Sequence, residues 1–356
     1  MSDIIVNRLA DIDPQVADLA EPIVQRWTAA MTRVAAAHKQ QGFMPNPPVN
    51  GSIEDILAKR FNDPAFPQVK RDRAADEAIR FAASPFLKRR TGLTAADLQS
   101  STPVDQLVGL PTARLTRQQL SAMVDNRPGI PNFGGGVAAA LPGTLRSLDL
   151  EIIRVVCIDE TNGPFGTERG QDEIYIGGVA LNSEVEVGKV GPTKMGDFDD
   201  IGSRRQKDFN PDLRLYSHDL TKDTVFPSSY FVTLVMFEKD QGNLNDTVNE
   251  IVNKVKDDAI TYLSALIGTG TGSLAGPLGA LVGLAVGYIV GKVIKGLVSA
   301  WEDDPFLPVT IEVHVPSSSA NAGGPPSKVM NFTGPGEYAV RYQWKLRKIQ
   351  GGFAPA

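Results

Sequence analysis

Three acidic loops carry the residues whose types and spacing best suit the binding of a metal ion. One loop offers Asp159 and Glu160 at its start and Asp172 and Glu173 at its end, between two candidate strands. Hard cations such as Ca²⁺ take six to eight oxygen ligands, which carboxylates and carbonyls in flexible loops supply. The sequence therefore makes calcium the candidate cofactor.

Two further acidic loops lie near predicted strand ends, one with Asp199 and Asp200 and the other with Asp240. If the topology joins two of the three loops, the site would be similar in kind to those of calcium-binding C2 domains. EF-hand spacing is missing from the sequence. The alternative interpretation is a set of solvated turns, because Asp, Asn and Gly are the ordinary residues of turns.

The residues most often used in catalysis are scattered. His38, His218 and His314 have no partner at ligand spacing, and His314 alternates outward on a predicted strand. The lone Cys157 lies in an apolar stretch, which is typical of a buried, inert thiol. H-E-x-x-H, G-x-S-x-G and Walker patterns are all missing from the sequence. The sequence favours a protein that is not an enzyme, and the alternative is a catalytic site assembled across loops.

A glycine-periodic segment is the most distinctive feature of the chain. Residues 259–291 are 33 consecutive positions without a charge. Within them Gly279, Gly283, Gly287 and Gly291 recur at every fourth position. Each glycine costs a helix about 1 kcal/mol relative to alanine, so four on one face indicate close helix packing, which membranes use especially.

Gly276 and Pro277 divide this segment, because proline suits the first turn of a helix but not its interior. The sequence therefore predicts a helical hairpin. Its second arm, Leu278 to Trp301, would be about 36 Å long at 1.5 Å per residue, enough for a hydrocarbon core of about 30 Å. Side chains suited to a membrane interface lie on this arm. They are Tyr288, Lys292, Lys295 and Trp301.

The segment resembles the glycine-zipper and hydrophobic-hairpin elements of membrane-inserting bacterial toxins and related pore formers. That resemblance implies a membrane-active, pore-forming or membrane-inserting protein, with a lipid membrane as its partner and a homo-oligomer on it. The alternative is a soluble binding or structural module, with a calcium-binding β-sandwich, in which the hairpin is buried against a packing partner in the chain.

The remaining pattern predicts an α+β fold, with an all-α N-terminal domain followed by an antiparallel β-sandwich. Residues 1–126 show helical spacing, residues 127–145 form a Gly/Pro-rich linker, and residues 146–350 form the sandwich domain. The Gly-rich hydrophobic hairpin is inserted into this domain at about residues 244–301. Long loops connect the predicted strands, which favours a sandwich over a parallel sheet.

Local signals place the main elements. A helix is expected from Pro14 to Lys39, kinked or restarted at Pro22. Capping boxes begin helices at Ser52 and at Thr116. Strands are expected around positions 148–158, 174–176, 230–237, 309–315 and 338–346, and the alternating ones predict one buried and one wetter face.

The charge of the chain argues against nucleic acid as a partner. The 356 residues carry a formal net charge of −5, so the chain has no basic field that would gather nucleic acid. The N-terminus lacks a basic region followed by an apolar one, which indicates synthesis in the cytoplasm without a secretory signal peptide. A membrane-active protein of this kind would be exported by another route and associate with a membrane at its target.

Overall fold

Helices and antiparallel sheets make up an α+β fold in the computed structural model. Its described residues are 5–8, 14–44, 47–64, 66–110, 116, 119, 138–139, 145–160, 172–182, 186–199, 202–223, 225–226, 228–238, 244–267, 277–301, 306–317, 324–334 and 336–349.

The N-terminal part is helical after a short first strand, β1 (Ile5–Arg8). One long helix dominates it and shorter ones pack around it. These helices are α1 (Pro14–Ala37), α2 (Ile53–Phe61), α3 (Gln68–Ala82), α4 (Leu87–Thr91), α5 (Ala95–Leu98) and α6 (Val104–Leu107).

Helix α1 forms the centre of this part because its apolar side chains recur every three to four residues. Ile23 and Trp27 are fully buried, and Met31 is 6% exposed. The helix continues through Pro22, so the predicted restart does not occur. Pro22 is the ninth residue of α1, beyond the first four residues whose N–H groups lack a helical partner, so the helix continues with one backbone hydrogen bond fewer.

The predicted capping box at Ser52 is present in part, because the Asp55 carboxylate accepts from the Gly51 N–H and not from Ser52, whereas the capping box at Thr116 is complete. The Ser52 hydroxyl accepts a hydrogen bond from the Asp55 backbone N–H at 3.1 Å and begins α2. Thr116 and Gln119 make the reciprocal pair of a capping box, at 3.2 Å and 2.9 Å. The rest of the helix expected after Thr116 lies outside the described residues.

Two antiparallel sheets follow. The five-stranded sheet has the order β1-β9-β8-β4-β5, with β4 (Asp172–Asn182), β5 (Val187–Phe198), β8 (Ser228–Glu238) and β9 (Val309–Val315). The four-stranded sheet has the order β10-β11-β3-β6, with β3 (Leu145–Asp159), β6 (Gln206–Asp219), β10 (Lys328–Thr333) and β11 (Glu337–Lys348). A short pair joins β2 (Ala138–Ala139) to β7 (Val225–Phe226).

The expectation of long loops between the strands is wrong at three places. Strands β5, β6 and β10 occupy segments that the sequence analysis assigned to loops. Strand β1 lies in the part expected to be helical throughout. Each of these four strands is at the edge of its sheet, where exposed backbone tolerates the polar residues, Gly and Pro that obscure a strand pattern.

Hydrophobic side chains form two clusters, one on each face of the five-stranded sheet. On one face Val232 and Leu234 join side chains of the four-stranded sheet. On the other face Phe231 and Val235 join the N-terminal helices. The five-stranded sheet is therefore covered on both faces, and the helices share a core with it.

Helices α7 (Leu244–Ile267) and α8 (Pro277–Trp301) lie between β8 and β9 in the chain. Helix α8 begins at Pro277, the residue expected to open it. It contacts α1, α3 and β8, and its buried residues occupy more than one face. Among the described residues no helix is long and apolar enough to cross a membrane.

Candidate functional site

A groove of about 530 Å³ opens where α1, α3 and α8 meet, and it is the candidate functional site. Its size lies within the range of small-molecule sites, about 300–1,000 Å³. The residues that line it are Glu21, Val24, Thr28, Met31, Thr32, Ala74, Glu77, Ala78, Phe81, Arg90, Lys292, Lys295, Gly296 and Trp301.

Small residues keep the groove open. Helix α3 presents Ala74, Ala78 and Phe81, whose spacing of four and three places them on one face of the helix. Opposite them, α8 presents Gly296. Because two alanines and a glycine occupy positions where larger side chains would fill the space, the three helices leave a gap between them.

Helix α8 runs in the same direction as α1. A Cβ built on Gly296 would lie 3.1 Å from Met31 Cε, near the middle of the contact between the two helices. Five residues later, the Trp301 ring lies 4.9 Å from the Phe61 ring, which in turn lies 5.8 Å from the His38 ring. The C-terminal end of α8 therefore lies toward the C-terminal end of α1.

Helix α3 runs in the opposite direction. It starts beside the end of α1, where Gln68 Nε2 lies 3.0 Å from His38 Nε2. The chain then reaches α4 beside the middle of α1, where Gln25 Nε2 donates to the Arg89 carbonyl at 3.4 Å. Compared with Gln68, Phe81 and α4 therefore lie closer to the beginning of α1.

These directions give the groove two different ends. Arg90 on α4 and Lys292, one turn before Gly296 on α8, lie toward the beginning of α1, and we call this the basic end. Glu21, the lining residue nearest the beginning of α1, lies at this end as well. Trp301 closes the opposite, aromatic end and is only 3% exposed. Lys295 lies between them, one turn after Lys292. The groove thus combines a charged end with an interior of apolar side chains and two threonines, Thr28 and Thr32.

Some charged side chains along the groove have a partner within the protein and others do not. Glu77 pairs with Arg73 at 3.6 Å, and Glu21 accepts a hydrogen bond from Gln25 at 3.5 Å. Within the described part of the chain, Arg90, Lys292 and Lys295 make no ion pair. Lys292 Nζ instead lies 5.3 Å from the centre of the Tyr288 ring. The groove therefore presents more unpaired positive charge than negative charge.

The predicted glycine seam lies on α8. Gly287 is buried and Gly291 is partly buried. A Cβ built on Gly291 would lie 3.5 Å from Thr310 Oγ1 on β9, so this part of the seam faces the five-stranded sheet. Gly279 and Gly283 belong to the same helix, but their surroundings lie outside the described residues.

The residues predicted to suit a membrane interface lie on α8 in different settings. Lys292 and Lys295 are exposed, and Tyr288 is partly buried. Trp301 is buried against Phe61. Their contact with a membrane stays a prediction, whereas three of them, Lys292, Lys295 and Trp301, line the groove.

The acidic residues of the predicted calcium site have protein partners where they are described. Asp172 is buried, and its Oδ2 accepts a hydrogen bond from the Tyr338 hydroxyl at 2.5 Å. Glu173 Oε1 accepts from Lys194 Nζ at 2.6 Å. Since neighbouring strand residues point to opposite faces, these two carboxylates do not converge.

The other predicted ligands are more scattered. Asp159 and Glu160 follow one another at the end of β3, and Asp199 follows β5. Asp200 and Asp240 lie outside the described residues. Across the described residues, no three His, Cys, Asp or Glu side chains form a group that could hold a metal ion. Calcium binding therefore stays a prediction.

The histidines on strands are buried. His314 was expected to alternate outward, but it is 8% exposed, because helices cover that face of the five-stranded sheet. Its Nδ1 lies 3.3 Å from Ser229 Oγ, and burial lowers the pKa of His314 to about 4. His218 lies in the cluster shared by the two sheets, next to Tyr216 and Tyr230. Cys157 is buried, as expected.

A charged cluster covers the outer face of the four-stranded sheet. Asp149 accepts from Arg347 Nε at 2.5 Å and from the Ser217 hydroxyl at 2.6 Å. Glu151 accepts from Lys345 Nζ at 2.8 Å. Each carboxylate accepts hydrogen bonds from donors on a neighbouring strand. This cluster therefore stabilises the pairing of the strands, and its carboxylates already have partners that a ligand would have to replace.

Sequence reasoning did not find the groove. Its signal was present in the spacing of Ala74, Ala78 and Phe81 and in the two lysines three residues apart on an apolar helix. The three helices that form it are separated by long stretches of sequence, so only their packing shows that these residues meet.

Comparison with known proteins does not assign a family. No protein family model matches the chain, and no curated protein and no solved structure matches it significantly.

Proposed function

We propose that this protein is a binding module whose groove between α1, α3 and α8 takes a small amphipathic molecule. The observation that carries the proposal is the groove itself, which is about 530 Å³ in volume, is lined by apolar side chains together with two threonines, and carries more basic than acidic side chains. Specific binding sites commonly combine an apolar lining with a few placed polar groups.

The burial of α8 supports a binding role in which this helix stays within the fold. Val286, Val290 and Val293 are at most 1% exposed, and further apolar residues of α8 are buried beside them. Each buried valine, leucine or isoleucine stabilises the fold by about 1.5–3 kcal/mol relative to exposure. Removing α8 would also expose Phe231 and Val235 of the sheet.

The two sheets are proposed to form a β-sandwich, with α7 and α8 as an inserted hairpin. Support for the sandwich comes from the single hydrophobic cluster to which both sheets contribute. Support for the insertion comes from the chain order, because α7 and α8 connect the neighbouring strands β8 and β9. In this arrangement the hairpin builds one wall of the groove.

A substitution that fills the groove with a larger side chain tests the proposed function. The probe is Nile red, a neutral dye whose fluorescence rises in apolar sites. We expect saturable binding by the wild type and its loss in Ala78→Phe, because the added ring occupies the groove. Val69→Phe is the matched control, since Val69 lies on the same helix, is 72% exposed and does not line the groove.

The outcomes are distinct. Equal binding by the wild type and Ala78→Phe, with both proteins folded by circular dichroism, would contradict the assignment of the site. Absence of saturable binding by the wild type would remove the proposed function. Loss of binding in both phenylalanine variants would show that the dye reports a surface effect.

A membrane-active, pore-forming or membrane-inserting function is the second candidate. One observation favours it: α7 and α8 lie between two strands that already pair with each other, so they could leave without breaking a strand pair. The partners would then be a lipid membrane and further copies of the chain on it.

A reversible lock on α8 tests this second function. In a Cys157→Ser background, cysteines replace Met31 and Gly296, whose side-chain positions are adjacent, and a cleavable bifunctional thiol reagent joins them. We expect dye release from anionic liposomes to stop in the joined protein and to return after cleavage. Release that continues in the joined protein, or an absence of release under any pH or calcium condition, would contradict it.

Calcium binding by the acidic loops is a separate proposal. Its support is the closeness of Asp159, Glu160 and Asp199 to strand ends. Calorimetric titration with calcium chloride measures it directly, with magnesium as the control. A specific, saturable calcium signal that Asp199→Asn weakens would support the site, and an equal response to both cations would contradict it.

A further inference from the structure

The basic end of the groove is formed by side chains from different helices. Arg90 comes from α4 and Lys292 from α8, and both are exposed. Lys295 adds a third positive charge one turn further along α8. Long basic side chains on separate elements can converge on one anionic group, and a guanidinium beside an ammonium suits a carboxylate, sulfate or phosphate.

The acidic residues of the groove do not cancel this charge. Glu77 pairs with Arg73 at 3.6 Å. Glu21 keeps its negative charge, because the Gln25 amide that donates to it at 3.5 Å is neutral, so among the described residues one unpaired carboxylate stands against the three cations. Across the described residues, Arg90 and Lys295 have neither an ion pair nor a cation–π contact. An anionic group at the basic end would therefore give these basic side chains a partner that the described residues do not supply.

The interior of the groove suits a single apolar chain. Val24, Met31 and Phe81 line it together with the alanines of α3, and Trp301 closes the aromatic end. From Lys292 to Trp301, nine residues of helix span about 14 Å at 1.5 Å per residue. That distance matches the length of one extended hydrocarbon chain of medium length.

We infer that the groove binds a free, single-chain anionic amphiphile, of which a medium-chain fatty acid is the simplest member. Its head group lies between Arg90 and Lys292, and its chain extends past Met31 toward Trp301. The inference rests on the proposed binding role of the groove. It adds to that role the charge of the ligand, the number of its chains and its direction in the site.

Three amphiphiles with the same chain test the charge of the ligand. Dodecanoate, dodecanol and dodecyltrimethylammonium are titrated below their aggregation concentrations, and binding is followed by calorimetry. We expect dodecanoate to bind about tenfold or more tighter than the other two, because charge-assisted hydrogen bonds are worth about 1.5–3 kcal/mol and 1.4 kcal/mol is tenfold.

Charge reversal tests the direction of the ligand. Arg90→Glu and Lys292→Glu should each weaken dodecanoate binding about tenfold or more and should not weaken dodecyltrimethylammonium binding. Arg80→Glu is the matched control, because Arg80 is exposed on α3 and does not line the groove. All three positions are exposed, so thermal unfolding should show that the variants stay folded.

Each result has one meaning. If no amphiphile and no neutral dye binds, the proposed function fails together with the inference. If the three amphiphiles bind equally, or the ammonium binds best, the inference alone fails. If the protein sediments with anionic vesicles and does not bind free dodecanoate, the site serves a lipid surface and the free ligand is the wrong occupant.

Discussion

Gly296 on α8 lies directly against Met31 on α1. A Cβ built at position 296 would come 3.1 Å from Met31 Cε, closer than most real Cβ contacts. Met31 Cε is the end of a flexible side chain, so a small shift can relieve this contact. The close approach brings α8 against α1 beneath the groove, and both residues line it.

Replacement of Gly296 should affect the stability of the fold and the binding of Nile red differently. Gly296→Ala should leave the free energy of unfolding unchanged or raise it by up to about 1 kcal/mol, because alanine is the better helix former. The new methyl group enters the groove, so Nile red binding should weaken. Urea unfolding and dye titration on the same sample measure both quantities. A loss of stability above about 1 kcal/mol would mean that Met31 cannot move.

A buried ion pair holds the N-terminal helices together. Arg33 and Glu54 are 0% and 2% exposed at their side chains and meet at 2.7 Å. Arg33 also donates to the carbonyls of Phe43, Thr102 and Ser100, and Glu54 accepts from the Val104 backbone N–H at 2.8 Å. The pair therefore fixes two loops on α1 and α2.

Breaking this pair should be costly. Glu54→Gln keeps the shape of the side chain but leaves the Arg33 charge buried without its partner, and should lower the free energy of unfolding by about 3–5 kcal/mol. Asp76→Asn is the control, because Asp76 meets Lys39 at 2.8 Å with its side chain 53% exposed. The control substitution should lower the free energy of unfolding by at most about 1 kcal/mol. Equal losses in urea unfolding would contradict the special role of Arg33.

Helix α7 is joined to the N-terminal helices by a cluster of opposite charges. Lys254 lies 3.3 Å from Asp105 and 3.2 Å from Asp258, and Arg26 faces the same carboxylates. Burial raises the pKa of Asp258, Lys254 opposes that rise, and Asp105 adds to it. Lys254 therefore opposes the rise in the pKa of Asp258 that burial causes.

Removal of Lys254 should give a loss of stability that depends on pH. Lys254→Met should raise the pKa of Asp258 further and lower the free energy of unfolding by about 1–3 kcal/mol at neutral pH. Because the folded carboxyl then takes up a proton more readily than the unfolded one, the loss should shrink as the pH falls. Lys254→Arg is the control and should show little loss. A loss that is the same from pH 7 to pH 5 would contradict this account.

The sequence predicted the interior of the fold better than its edges. Strands β3, β8, β9 and β11 were expected because their buried faces impose an apolar pattern. The edge strands β5 and β6 were missed, since each contains a proline and β6 is largely exposed. Burial of His314 was missed because one sequence cannot show that helices from elsewhere cover its side of the sheet.

The site was predicted less well than the fold. The sequence drew attention to Lys292, Lys295 and Trp301, but as a membrane interface, because they follow the uncharged residues 259–291. Their neighbours Ala78 and Arg90 lie about 200 residues away in the chain and carry no pattern that links them to α8. A groove made by three distant helices depends on tertiary packing, and spacing along one segment does not encode it.

His218 is buried among aromatic rings. Its ring centre lies 4.8 Å from those of Tyr216 and Tyr230, and 6.3 Å from that of Trp344. The structure describes no hydrogen-bond partner for its Nε2. Burial lowers the pKa of His218 to about 3, well below the usual value of about 6.5. The folded protein therefore holds this imidazole neutral where the unfolded chain would bind a proton.

The stability contributed by a neutral His218 should be present above about pH 6.5 and should be lost as the pH falls toward 3. Over this window the unfolded chain binds one more proton, so stability should fall by about 1.4 kcal/mol per pH unit for this group. His218→Phe, which keeps an aromatic ring without a proton site, should remove that part of the slope between pH 6 and pH 4. His314, with its pKa lowered to about 4, adds a similar slope that the variant retains. Urea unfolding at several pH values measures the difference between the two proteins, and parallel curves would show that His218 is protonated in the fold.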